Sequence, residues 1–127
     1  MKQKLRLSDI ATKILAMIND GDDFVVNEYD FAGITGLPIT KEDTFPRVCD
    51  FVKAGYDKEI AAYYFAYLIA MPGYEVISLK SNTALQTEVK PTFKERHTAE
   101  IIEDECWGKA MACRKQRIEE EKNEQKL

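Results

Sequence analysis

Residues 57–73 read DKEIAAYYFAYLIAMPG, and the twelve residues from Ile60 to Met71 are all apolar or aromatic. Spanning a bilayer takes about 20 apolar residues, so this run is too short to be a transmembrane segment. Asp57 precedes it as a helix N-cap, and Pro72-Gly73 ends it. Because the run is apolar on every side of a helix, it predicts a helix that is buried among several neighbours.

The helix predicted over this run should organise the core. Fully burying a large aliphatic or aromatic side chain is worth roughly 1.5–3 kcal/mol, and several lie on this one helix. Tyr63, Tyr64 and Tyr67 also bring hydroxyl groups, so at least one hydroxyl must reach the surface or a hydrogen-bond partner. The residues expected at the centre are Ile60, Tyr64, Phe65, Leu68 and Ile69, with Ile14, Ile18, Phe51 and Val52 packed around them.

Upstream of this helix, the spacing of apolar and turn residues predicts three helices and one extended piece. The first helix has Ser8 as its N-cap and ends at Asn19-Asp20-Gly21, and the following DFVV is extended. Asn27 caps a second short helix, EYDFAGIT, over residues 28–35. The third helix starts at Thr40 or Asp43, keeps Pro46 in its first turn and ends at Gly55.

Downstream, residues 74–80 and 84–90 flank the turn residues Ser81-Asn82-Thr83 and predict one β-hairpin. The chain is helical in character again from about Lys94. Residues 114–127 hold one good apolar position, Ile118, before the terminal Leu127. We therefore predict a mainly α protein with minor β content. A single globular domain over residues 1–113 has a tri-helical N-terminal part, a buried fourth helix and one hairpin, and residues 114–127 form a charged helical extension or tail.

Net charge and cysteine content limit the class of protein. The chain has 127 residues, a formal net charge of −4 and a sequence pI of about 5.1. Nucleic-acid-binding proteins usually carry a basic face, so the overall balance argues mildly against that role, although a basic patch can lie on an acidic protein. Cys49, Cys106 and Cys113 are widely spaced and do not suggest a disulfide framework. We predict a reduced, cytoplasmic protein that does not enter the membrane.

Residue types that carry metal binding or catalysis occur, but not in the spacing that such sites use. His97, Cys106 and Cys113 share the C-terminal region, whereas zinc sites use closely paired ligands. DGDD at residues 20–23 lacks the later glycine and glutamate of a calcium loop. Glu100 and Asp104 share one helical face, which we interpret as a solvated face and not an acid–base pair. We predict no metal, no cofactor and no enzymatic activity.

Residues 8–56 hold a further pattern. A helix is followed by DFVV, by a short helix ending in ITGLP, and by a third helix ending in KAGY. This order resembles the tri-helical part of helix-turn-helix and winged-helix domains, and it extends to residue 90 if the hairpin is taken as the wing. The resemblance implies binding to duplex DNA through Lys41, Arg47 and Lys53. Acidic residues are interleaved with these three cations: Glu42, Asp43 and Asp50.

The segment ECWGKAMACRKQR, residues 105–117, contains the chain's strongest basic cluster, formed by Arg114, Lys115 and Arg117. Trp107 and Met111 lie four residues apart, and Arg114 lies about one turn further along the same stripe. Trp, Met and Arg are enriched where binding energy is concentrated at protein interfaces. The candidate protein-binding residues are therefore Trp107, Met111, Arg114 and Arg117. The alternative is that Trp107 and Met111 close this helix onto the core.

Two functions follow from these patterns. The first is a non-enzymatic regulatory protein, an inhibitor or adaptor, that binds another protein; a homodimer is compatible with it. The acidic runs 19–30 and 100–105 would suit an inhibitor that presents carboxylates where nucleic-acid phosphates would lie. The second is a DNA-binding transcriptional regulator of the helix-turn-helix or winged-helix type. A deep pocket that joins His97 to the carboxylates of residues 100–105 would instead favour an enzyme.

Overall fold

The structure, a computed structural model, describes residues 5–28 and 45–125. The elements in these ranges are α1 (Leu7–Asn19), β1 (Phe24–Glu28), α2 (Val48–Lys53), α3 (Lys58–Ala70), β2 (Tyr74–Ser78), β3 (Ala84–Leu85) and α4 (Phe93–Gln125). The predicted class, mainly α with minor β content, is confirmed. Over the described ranges, no helix combines the length and the apolarity that crossing a bilayer requires.

The central helix is α3, the one predicted from residues 57–73. It contacts α1, α2, α4 and β2, so it has neighbours on several sides, and this explains why it is apolar almost all round. Phe65 packs against Phe24 of β1 and Phe51 of α2, with ring centroids 5.6 and 6.1 Å away. The buried residues of α3 are Ala61, Ala62, Tyr64, Phe65, Ala66 and Leu68.

Most of the predicted core is confirmed. Ile60 and Ile69 are half-buried and pack against the buried cluster. Val52 was predicted wrongly, because its side chain is 42% exposed. In α2, Val48 and Phe51 face the core, and Val52 is rotated about 100° away from Phe51 around the helix. The buried members of the predicted core are Tyr64, Phe65, Leu68, Ile14, Ile18 and Phe51.

The tyrosine hydroxyls of α3 find partners on α4, as their burial requires. The Tyr64 hydroxyl donates to Oε1 of Glu103 at 2.9 Å, and the Tyr63 hydroxyl donates to the carbonyl oxygen of Glu95 at 3.5 Å. Burial of Tyr64 raises the pKa of its hydroxyl, and the Glu103 carboxylate raises it further. The hydroxyl therefore stays protonated and remains a hydrogen-bond donor to Glu103.

The strands form one antiparallel sheet in the order β1-β2-β3. The predicted hairpin is confirmed as β2 and β3, although β3 has only two residues. The extended piece DFVV is confirmed as part of β1, which pairs with β2 and runs on to Glu28. Asn27, predicted as the cap of a second helix, instead pairs with Glu75 in the sheet. The remainder of that predicted helix, residues 29–35, lies outside the described residues.

The third predicted helix starts later than its sequence suggests. It is α2, and Arg47 before it is extended, with φ −90° and ψ 171°. Pro46 therefore precedes the helix and does not lie in its first turn, while Thr40 and Asp43 lie outside the described residues. α2 ends at Lys53, and Gly55 terminates it as predicted. Gly55 adopts φ 100°, which lets the Tyr56 amide donate to the Phe51 carbonyl at 3.0 Å.

The DGDD segment, residues 20–23, precedes β1 and connects it to β2 and α2 through side-chain hydrogen bonds. Oδ2 of the buried Asp22 accepts the Ser78 hydroxyl at 2.5 Å, and its Oδ1 accepts the Lys80 amide at 3.0 Å. Oδ1 of Asp23 accepts the amide of Val48, the first residue of α2, at 2.8 Å. Asp23 thus takes the place of a local N-cap for α2, which explains why that helix begins at Val48.

The N-terminus of α1 is also capped by a residue from far along the chain. Ser8, the predicted N-cap, lies inside the first turn, since α1 begins at Leu7. Oε2 of Glu95 accepts the Leu7 amide at 2.8 Å, and its Oε1 accepts the Thr92 amide at 2.8 Å. The Glu95 amide in turn donates to Oγ1 of Thr92 at 3.2 Å, which completes a capping box at the start of α4. Glu95 therefore joins the N-termini of α1 and α4.

The position of Glu95 should make the free energy of unfolding depend on pH. Burial alone would raise the pKa of Glu95, but the hydrogen bonds from Thr92 and Leu7 hold that pKa below its ordinary value of 4.5. A carboxyl with a depressed folded-state pKa contributes stability that is present above the unfolded pKa and is lost as the pH falls through the folded pKa.

We therefore expect the free energy of unfolding to fall as the pH drops below 4.5, and part of this fall should come from Glu95. In urea unfolding at pH 7 and at pH 3, Glu95→Gln should be less stable than wild type at pH 7 and should lose less stability on acidification. The control is Glu100→Gln, since Glu100 is exposed on the same helix. Equal losses in wild type and Glu95→Gln would contradict this role.

Candidate functional site

The structure places the two predicted sets of binding residues on adjoining helices. α4 packs across α2, with Cys106 and Ala110 buried on its inner side. Arg47 and Lys53 lie at the two ends of α2, and Lys41 lies outside the described residues. The residues of α4 predicted to bind a protein are on the same part of the molecule: Trp107, Met111, Arg114 and Arg117.

Arg117 docks α4 onto α2. Its Nε lies 3.0 Å from Oδ1 of Asp50, and its Nη2 lies 3.1 Å from Oδ2. The Asp50 side chain is 1% exposed and the Arg117 side chain 14% exposed, so water screens this bidentate pair only weakly. Oδ2 of Asp50 also accepts the Arg47 amide at 2.8 Å, which fixes the carboxylate at the start of α2.

This contact lies beyond the predicted domain boundary at residue 113. α4 is a single helix through that residue, and the Arg117 pair connects the following turn to α2. The residues after it are solvated, since Glu119, Glu120 and Glu121 are all exposed. Glu121 approaches Nη1 of Arg117 at 3.6 Å, so it flanks the buried pair from the solvent side.

Trp107 is half-buried and is held by an aromatic contact. The Phe45 ring meets it edge-on, with centroids 5.3 Å apart and planes at 84°. Phe45 makes a second edge contact with Tyr74 of β2, at 5.8 Å and 86°. Edge-to-face pairs of this kind are worth about 0.5–1.5 kcal/mol beyond their buried area. Trp107 therefore contributes to closing α4 onto the domain while part of its ring system remains accessible.

An open cavity of about 370 Å³ lies beside Trp107 on the surface of α4. Its lining is Glu103, Asp104, Trp107 and Gly108. Gly108 contributes no side chain, and the position that a Cβ would occupy has no neighbour within 4 Å. Glu103 is half-buried and accepts the hydrogen bond from the Tyr64 hydroxyl, so Asp104 is the exposed carboxylate at this cavity. The cavity thus has an aromatic wall and one acidic edge.

Met111 and Arg114 continue from Trp107 along α4. Both are half-buried, and their spacing of four and then three residues keeps all three on one stripe. We call Trp107, Met111 and Arg114, together with the cavity residues Asp104 and Gly108, the Trp107 surface. Arg114 also takes part in an interaction within the chain.

The residues considered for metal binding and catalysis are dispersed. His97 is exposed and stacks on Phe93. Within residues 5–28 and 45–125, no three His, Cys, Asp or Glu side chains are arranged to hold a metal ion. Cys49 is exposed, but desolvation of its sulfur and then the Asp23 carboxylate raise the pKa of the thiol to about 12. This thiol is protonated at neutral pH and is a poor nucleophile.

The sequence pattern predicts Trp107, Met111 and Arg114 as binding residues but does not indicate the residues that position them. Phe45 carries no signal beyond being aromatic, and its contact with Trp107 spans half the chain. In the sequence, Asp50 is one of the acidic residues interleaved with the DNA-binding candidates, and the structure buries it against Arg117. The one local signal was that a carboxylate three residues after the start of a helix favours capping.

Comparison of the chain with protein-family models, with curated proteins and with solved structures finds no match.

Removing the Arg117 guanidinium should leave the buried Asp50 carboxylate without its charged partner. We expect Arg117→Ala to lower the free energy of unfolding by about 3 kcal/mol, the lower end of the range for breaking a buried pair, because one edge of Arg117 reaches solvent. The matched control is Lys115→Ala, an exposed cation on the same turn, with an expected change within about 0.5 kcal/mol. Similar effects of the two substitutions in urea unfolding would show that the pair does not dock α4.

Proposed function

We propose that this chain is a small cytoplasmic regulatory protein, an inhibitor or adaptor, that acts by binding a protein partner through the Trp107 surface. The observation that carries this proposal is the position of Trp107. Phe45 contacts the Trp107 ring edge-on, and Trp107 also lines an open cavity. A large aromatic group that is already ordered beside a concave surface has the chemistry of an interface anchor.

The order of the Trp107 surface before any partner binds supports the proposed protein-binding role. Association costs roughly 0.5–1.5 kcal/mol for each flexible side chain that becomes immobilised. The Trp107 ring is fixed by packing, and the helix beneath it is docked by the Asp50–Arg117 pair. Less ordering is then required when a partner binds, so more of the contact energy contributes to affinity.

The charges along α4 favour a particular kind of partner. Glu100, Asp104 and Glu105 are exposed at the N-terminal side of Trp107, and Lys115 is exposed on the other side. A partner would place basic groups near Asp104 and an apolar group in the cavity. Of the two acidic runs, the one at 100–105 supports an inhibitor that presents carboxylates, because Asp22 and Asp23 of the other run are bonded within the fold.

Co-purification from the native host tests the proposal. Tagged wild type and Lys109→Ala, an exposed position on the same helix, should recover the same protein, and Trp107→Ala should recover little of it. Calorimetry on the purified pair should then give a Kd at least tenfold weaker for Trp107→Ala, as for an interface anchor. Circular dichroism checks that each variant is folded.

Recovery of no specific protein, or equal affinity of wild type and Trp107→Ala, would contradict the proposal. Self-association of the chain, with the same loss in Trp107→Ala, would identify the partner as a second copy. Light scattering of the wild type at increasing concentration separates that homodimer from a complex with another protein.

The second candidate is a DNA-binding regulator of the helix-turn-helix or winged-helix type. The observation in its favour is that Lys53 is exposed at the end of α2. Against it, α2 has only six residues, which is short for a helix that reads a groove. A mobility shift of duplex DNA at low salt that Arg47→Ala weakens would favour this candidate, and the lack of any shift would remove it.

A further inference from the structure

A second surface lies at the N-terminal end of α4, close to the N-terminus of α1. It is a cleft of about 740 Å³ whose lining includes three exposed cations, Arg6, Lys90 and Lys94. This concentration of positive charge stands out on a chain whose net charge is −4.

The cleft lining also contains two carboxylates, those of Asp9 and Glu95, which oppose the positive charge of the cations. Oδ2 of Asp9 accepts the Arg6 amide at 2.8 Å, and Glu95 accepts the Leu7 and Thr92 amides. Both carboxylates therefore lie at helix N-termini, where the aligned peptide dipoles place about half a positive charge each. Together the two dipoles offset about half of the charge of the two carboxylates, so the three cations Arg6, Lys90 and Lys94 leave the cleft net positive.

Phe93 lies in the sequence between Thr92 and Lys94, two residues that line this cleft. It is the first residue of α4 and is 84% exposed, more than the other exposed large apolar side chains among the described residues. Its ring is parallel to that of His97, with an angle of 3° between planes and 6.4 Å between centroids. Exposure of a phenyl ring is unfavourable in water, and here the ring has cations on both sequence sides, Lys90 and Lys94.

We propose that this surface binds single-stranded nucleic acid, with a base stacked on Phe93 and the adjacent phosphates in the cleft beside Arg6, Lys90 and Lys94. A positive groove that follows the backbone, combined with exposed aromatic rings for the bases, is how single strands are bound without sequence preference. This activity is separate from the Trp107 surface, because fourteen residues of helix place Phe93 about 21 Å from Trp107.

Two other polyanions are distinguished by the same features. Duplex DNA keeps its bases stacked on one another and offers no free face to Phe93, so the aromatic group would add nothing to duplex binding. An anionic membrane would meet the exposed Leu5 and Phe93 together with the lysines, but a flat bilayer does not use a concave cleft. The cleft therefore favours a flexible single strand.

Fluorescence polarisation with a labelled 20-nucleotide dT strand and a duplex of the same length, at 50 mM salt, tests the proposal on the full chain. The wild type should bind the single strand more tightly than the duplex. Phe93→Ala should weaken binding about tenfold, within the range found for loss of one base stack, and Phe93→Trp should restore it. The matched control is Lys109→Gln, an exposed cation elsewhere on α4, which should bind like wild type.

The charge contribution is measured by titrating salt. Lys90→Gln combined with Lys94→Gln should reduce the slope of log affinity against log salt by about 1.4, since each phosphate contact to a single strand contributes about 0.7. Because both lysines are exposed, the double variant should remain folded, which circular dichroism checks.

The proposal is overturned if the wild type does not bind the single strand at 50 mM salt, or binds the duplex equally well. It is also overturned if Phe93→Ala binds like wild type. Sedimentation with vesicles that contain phosphatidylserine tests for membrane binding. Binding to these vesicles without binding to the oligonucleotide would overturn the proposal and assign the surface to a membrane.

Discussion

Burial of α3 on several sides is the constraint on which the other elements depend. A helix that is apolar all round can be stable in water only if neighbours cover each of its faces, and α1, α2, α4 and β2 do so here. Burial is roughly proportional to area and has no direction, so it gathers these elements without fixing how each one is oriented. Orientation requires contacts with defined geometry.

Buried and half-buried carboxylates supply that geometry. Glu95 joins the N-termini of α1 and α4, Asp23 caps α2 from the start of β1, and Asp50 holds Arg117 of α4. Each carboxylate bonds backbone amides at the start of a helix, where the peptide dipole also favours negative charge. Several acidic residues of this acidic chain are therefore bonded within the fold, while Lys90 and Lys94 line the cleft at the start of α4.

The sequence was sufficient for what depends on local pattern. The apolar run of residues 60–71 predicted α3 and its burial, and the spacing of Trp107 and Met111 placed both on one stripe of α4. It was insufficient where a partner comes from far along the chain. Ser8 looked like a cap because capping rules read only neighbouring residues, whereas α1 uses Glu95. The predicted boundary at residue 113 rests on apolar residues becoming sparse there, and no local pattern could indicate that Arg117 pairs with Asp50, 67 residues away in the sequence.

The central claim is that α4 belongs to the rigid domain as far as Arg117 and so presents Trp107 on an ordered surface. Amide hydrogen exchange of the wild-type chain measures this most directly, because protection reports how tightly each turn is held. We expect the amides of residues 106–117 to exchange slowly, as those of α3 do, and protection to decline over the exposed residues 119–124. Rapid exchange from residue 113 onward would contradict the account, since α4 would then end its contact with the domain before the Asp50–Arg117 pair.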